Sequence, residues 1–138
     1  MENKLIFYPI IAQILLTLAM YIKLTIVKNK ALANAEVDLN RRALHVDAWP
    51  ESVLKVSNNL QNQFESPILF YVLCFVLWAL NGVDMLVMGI SSAYVVLRVF
   101  HAGVHTGSNT VAIRKKVFMV SVLLLVALCV LSIKALAS

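Results

Sequence analysis

Residues 117–133 form a run of seventeen positions without a charged side chain, residues 5–22 form one of eighteen, and residues 66–83 form another of eighteen. A helix needs about 17–25 apolar residues to cross a bilayer core roughly 30 Å thick. A fourth apolar segment, residues 85–105, has that length only if Arg98 is accommodated within it. In lipid every backbone amide and carbonyl must be satisfied inside the spanning structure, so runs of this kind predict α-helices. Composition agrees: the 138 residues are 61% hydrophobic and 14% charged, against about 45–50% and 25% in soluble domains. A soluble chain this short could not enclose so much apolar surface in one core.

The sequence therefore predicts an all-α membrane protein, a bundle of four transmembrane helices in a single domain over residues 1–138. The expected spans are 5–27, with Lys23 snorkelling, then 66–83, 85–105 and 117–134. Residues 28–50 read as a cytoplasmic loop, and residues 51–65 as an extension of the second helix, opened by Pro50 and loosened at Pro67. The first run is too long, and Lys4 too weak a basic flank, for a cleaved signal peptide, so it reads as a retained helix. Asn81-Gly82 marks a tight turn between the second and third spans. Thr106-Gly107-Ser108-Asn109 ends the third, with Ser108 or Asn109 placed to cap the fourth. Gln13 and Thr17, four apart, make a thin polar stripe suited to packing on another helix.

Basic residues beside the spans set an expected orientation. Residues 28–55 contain Lys28, Lys30, Arg41, Arg42 and Lys55, and the connection before the last span contains Arg114, Lys115 and Lys116. Such connections face the cytoplasm, which puts both termini on the non-cytoplasmic side of a multi-pass protein. The net charge of +5 then reads as topology and a basic site, not as a nucleic-acid footprint, because no basic region lies outside the membrane frame. Cys74 and Cys129 are isolated in apolar runs and read as small packing residues.

Three polar groups converge on the expected cytoplasmic end. Asn58, Asn62 and Glu65 fall at i, i+4 and i+7, hence on one helical face. Tyr94, Arg98, His101 and His105 fall at i, i+4, i+7 and i+11, again one face. Arg114, Lys115 and Lys116 stand at the start of the last helix. A spanning arginine costs at least about 2.5 kcal/mol unless paired or hydrated. Arg98 should therefore face the interior, with Glu65 as the expected partner on another helix. His101 and His105 have a metal-compatible spacing but no third ligand, so no metal site is expected. An anion beside Arg114 would feel both the cations and the helix dipole.

These motifs resemble those of the MAPEG family, membrane-associated proteins in eicosanoid and glutathione metabolism. Asn62-Gln63-Phe64-Glu65, followed by Pro67 and Phe70, is similar to the family's helix-two signature. Arg98, His101, His105 and Arg114 repeat its spacing across the last two helices. A weaker match is the stretch from Lys30 to Glu36. The resemblance implies a homotrimer with glutathione bound at each subunit boundary. It implies that Asn62, Glu65, Arg98, His101 and His105 line the site, that Lys115 adds a further cation, and that Arg114 stabilises the thiolate. The implied partners are membrane lipids and a small lipophilic electrophile. Asn58 stands where many active members carry arginine, and Gln61 where some carry another. Two readings stay open: a glutathione-dependent transferase or peroxidase, and a non-catalytic lipid-binding or scaffold member of the same fold.

Overall fold

A computed structural model describes residues Met1–Ser138. A 3-10 turn, Asn3–Ile6, leads into α1 (Phe7–Ala33). Then follow a short 3-10 turn at Val46–Ala48, α2 (Glu51–Asn62), α3 (Ser66–Ala79), α4 (Met85–Thr106) and α5 (Val111–Ala137). There are no strands, and four helices, with α2 and α3 counted as one, are long and apolar enough to cross a membrane. Pro9 lies in the first turn of α1, where its missing N–H removes no helix bond.

Helix ends depart from the hydropathy boundaries: α3 stops at Ala79, four residues short of the expected 83, whereas α1 and α5 overrun theirs. α1 continues through Lys28, Asn29 and Lys30 to Ala33 instead of giving way to loop after Val27, and α5 starts at Val111, six residues before its apolar run. Apolarity marks where lipid ends, whereas the backbone stays helical until a residue breaks it. For α1 that end comes at Asn34, followed by Ala35 in the left-handed region (φ 55°). Neither Ser108 nor Asn109 caps α5: Thr110 occupies the cap position without a side-chain bond to the helix. α4 does carry a cap, Asp84 Oδ1 accepting from Val87 N at 2.8 Å. In the preceding turn it is Asn81, at φ 53°, and not Gly82 that takes the left-handed conformation.

The expected loosening at Pro67 is a complete break. Residues 63–65 leave the helix, and Glu65 has φ −99° and ψ −103°. Pro67 then sits in the first turn of α3, where it is tolerated.

Only 29 of the 138 residues are buried, because the bundle wears its apolar side chains outward. α5 shows this most clearly. Its buried face is Ser121, Leu125, Leu128 and Ser132, while Met119, Leu123, Val126, Val130 and Ile133 are exposed. Small and hydroxyl residues inside let the backbones approach, and both serines return their hydrogen to helix carbonyls, Ser121 Oγ to Phe118 O and Ser132 Oγ to Leu128 O. The apolar core gathers Ile6, Ile10, Phe70, Cys74, Leu77, Val87, Tyr94 and Leu128. Phe70 stacks on Tyr94 at 4.5 Å between ring centroids. The core fills the half of the bundle nearer Met1 and Ser138. Polar chemistry fills the other half.

Candidate functional site

The buried face of α4 is the one the i, i+4, i+7, i+11 spacing predicts. Tyr94 and Arg98 are fully enclosed, and His101 and His105 nearly so. Arg98, however, is not paired with Glu65. The chain's three ion pairs are Lys4–Glu2, Arg41–Asp47 and Lys55–Glu51, and Glu65 is exposed. The break at residues 63–65 turns the Glu65 side chain outward. It also frees the Asn62 carbonyl from its regular helical partner, and Arg98 Nη2 donates to that oxygen across a long 3.5 Å. Arg98 Nε and Nη1 and His101 Nδ1 have no hydrogen-bond partner.

The α2 face that meets α4 is one residue away from the expected one. Asn58 and Glu65 are exposed and Asn62 is half-buried, whereas Asn59 and Gln63 are buried. Asn59 Nδ2 donates to His105 Nδ1 at 3.3 Å, Gln63 Nε2 donates to Asn59 Oδ1 at 3.1 Å, and Gln13 Nε2 of α1 donates to Gln63 Oε1 at 2.9 Å. Three buried amides thus form a chain from the first span to a histidine of α4. With the amides in this sense, Nδ1 of His105 is an acceptor and the ring proton sits on Nε2. Asn62 Nδ2, 3.5 Å away, approaches the same Nδ1. The signal for this face was present in the sequence: Val53 and Val56 continue the stripe to Asn59 and Gln63.

The turn between α4 and α5 aims Arg114. Asn109 adopts the left-handed conformation (φ 53°), its N–H closes on Val104 O at 2.8 Å, and its Oδ1 accepts from Arg114 Nη1 at 2.6 Å. Asn109, expected as a helix cap, is instead the residue that holds the guanidinium. Gly107 is required in the same turn, since a Cβ there would lie 2.9 Å from Gly103 O. Lys23 and Lys55 brace this end: Lys23 Nζ donates to Thr106 Oγ1 at 2.7 Å, and Lys55 Nζ to Gly107 O at 3.3 Å.

Between these elements lies a cavity of about 300 Å³ lined by Asn62, His101, Val111, Arg114, Lys115 and Phe118, at the lower end of ligand-pocket sizes. Of the expected site residues, Asn62, His101, Arg114 and Lys115 form its wall. Arg98 and His105 are buried on the same face of α4 without lining it, and Glu65 stands apart. The wall holds two cations, no acid, the first turns of a long helix, and Phe118, whose ring centroid is 6.2 Å from that of His101. Such a wall favours an anion with an apolar portion. No cluster of three or more metal-ligating side chains is present.

Four membrane-crossing helices with a cationic site at one end define a multi-pass integral membrane protein. The model of the MAPEG family matches residues 6–134, and the chain belongs to that family. No curated protein and no solved structure matches the chain significantly.

Proposed function

We propose that the protein is a glutathione-dependent transferase or peroxidase acting on lipophilic electrophiles at the cytoplasmic membrane face. In this reading it is a homotrimer with its termini on the non-cytoplasmic side. The observation that carries the proposal is the uncompensated cation cluster: fully buried Arg98 with two unpartnered nitrogens, next to a cavity walled by Arg114 and Lys115. Glutathione, an anionic tripeptide, fits that demand for acceptors, and it supplies a thiol nucleophile when bound.

The chain's own residues divide the work. Arg98 offers N–H donors, and His101 a ring nitrogen, that the protein leaves unmatched. Arg114, fixed through Asn109, sits one turn into α5, where free backbone amides already favour negative charge. A free thiol with pKa near 8.5 is only a few per cent ionised at neutral pH, and each tenfold gain in thiolate needs about 1.4 kcal/mol of preference for the anion. His105, oriented by the amide chain, presents an Nε2–H donor. Phe118 and Val111 give the cavity an apolar side for an electrophile arriving through lipid.

The test is conjugation of a chromogenic lipophilic electrophile by the purified protein, beside glutathione binding by calorimetry. Turnover lost in Arg114→Ala with the fold intact is the expected result. No binding at millimolar glutathione together with no turnover refutes the proposal. The second reading, a non-catalytic lipid-binding member, draws on the exposed, uncharged Asn58 and Gln61. It gains if native mass spectrometry retains a defined lipid and no glutathione.

A further inference from the structure

We propose that the connection between α1 and α2 forms a separate site for the phosphate headgroup of an anionic phospholipid. A cavity of about 230 Å³ is walled by Lys28, Arg42, His45, Trp49, Leu54 and Ser57 among others, and no acidic residue lines it. It shares no residue with the cavity beside Arg114.

The two neighbouring arginines have different assignments. Arg41 is committed to Asp47, donating from Nη2 to both carboxylate oxygens at 2.8 and 3.1 Å. Arg42 bonds only through its backbone, its N–H donating to Asp38 O at 3.0 Å and its carbonyl accepting from Trp49 Nε1 at 3.2 Å, and its guanidinium has no carboxylate partner. Lys28 is likewise without an acid, its Nζ lying 4.9 Å above the Trp49 ring. The indole therefore ties the loop to α1 and holds both free cations around one opening.

Depth and the apolar rim identify the ligand as a lipid rather than a soluble phosphate. From Leu5, the start of the apolar run, to Lys28 is about 35 Å along a helix at 1.5 Å per residue. That distance passes the roughly 30 Å hydrocarbon core and reaches the headgroup layer. Beside the cations, Leu44 is 89%, Val46 69% and Leu39 65% exposed. Basic residues, a tryptophan and outward aliphatic side chains at that level match a headgroup with the first carbons of its acyl chains.

The test uses the full chain with Trp78→Phe, which leaves Trp49 as the single tryptophan. The protein is reconstituted in phosphatidylcholine vesicles containing a minor fraction of lipid brominated near the headgroup, either phosphatidylglycerol or phosphatidylcholine. Trp49 fluorescence should be quenched several-fold more by the brominated anionic lipid. Lys28→Gln with Arg42→Gln should remove that preference, by roughly fivefold per cation. High salt should weaken it in the protein that retains both cations, a measurement that does not depend on the double variant folding. Equal quenching by the two lipids overturns the proposal, as does a preference that survives both the double substitution and high salt. Loss of the preference on adding inorganic phosphate at constant ionic strength would mean a soluble anion site. Absence of quenching by either lipid would mean that a second copy of the chain covers the loop. Either result overturns the lipid assignment.

Discussion

Replacing Arg98 by methionine should make the ligand-free protein more stable and leave it unable to respond to glutathione. Arg98 is fully buried, takes part in none of the three ion pairs, leaves Nε and Nη1 unpartnered, and makes one long bond to Asn62 O. An arginine held in a spanning segment costs at least about 2.5 kcal/mol when unpaired, and an orphaned buried donor costs about 1–3 kcal/mol. Methionine is of similar length and fills irregular space without a polar atom, so Arg98→Met should gain about 2 kcal/mol. The protein with arginine should recover that difference on ligand binding, since a ligand at about a hundredfold over its Kd adds about 2.7 kcal/mol. Reversible unfolding in mixed micelles, followed by circular dichroism with and without glutathione, reads both effects. If R98M instead lowers the ligand-free stability by more than about 1 kcal/mol, Arg98 already has its partners, for instance the exposed Glu65 of a neighbouring copy. The reasoning from unmatched donors would then be wrong.

Three further outcomes are expected. Asn109→Ala removes both a residue suited to the left-handed conformation and the acceptor for Arg114, so turnover should fall about tenfold or more, in line with about 1.5–3 kcal/mol for a bond to a charged group. Asn109→Gly, which restores only the backbone freedom, should lose the same activity with less loss of stability. Asn59→Leu cuts the amide chain, and nitrogen NMR of His105 should change from a single Nε2–H tautomer to a mixture; an Nδ1–H tautomer in the unsubstituted protein would show that the amides run in the opposite sense. The Arg41 guanidinium, by its hydrogen bonds, holds the Asp47 carboxyl below the usual carboxylate range. Its contribution to loop order is thus present above pH 3.8 and lost as pH falls through the lowered value, which amide exchange over residues 38–48 should register. Asp47→Asn should show that faster exchange already at neutral pH.

The four spans were legible because lipid imposes a length and an absence of charge that few sequences meet by chance. The buried face of α4 was legible for a related reason: a spanning arginine must turn inward, and the spacing carries Tyr94, His101 and His105 with it. α2 was harder to orient. Asn58/Asn62 and Asn59/Gln63 are both i, i+4 pairs, one residue out of phase, and in a largely polar helix the decision rested on Val53 and Val56. Pairing failed most clearly at Glu65, because the break beside Pro67 gives the chain a backbone direction that no helical projection describes. Asn109 was read as a cap since its side chain suits that role. Its bond to Arg114 depends on a left-handed backbone that the spacing does not reveal.

The amide chain that starts at Gln13 changes what the first span is. Three side chains from two segments fifty residues apart couple the interior of α1 to a histidine near the cavity, though no residue of α1 lines that cavity. A chimera that exchanged this span for another apolar helix of equal length would insert and pack. It would also strand Gln63 and release His105 from its orientation. The first span is part of what orients His105, and the motif-bearing helices transplanted into a foreign scaffold would lose that orientation without it.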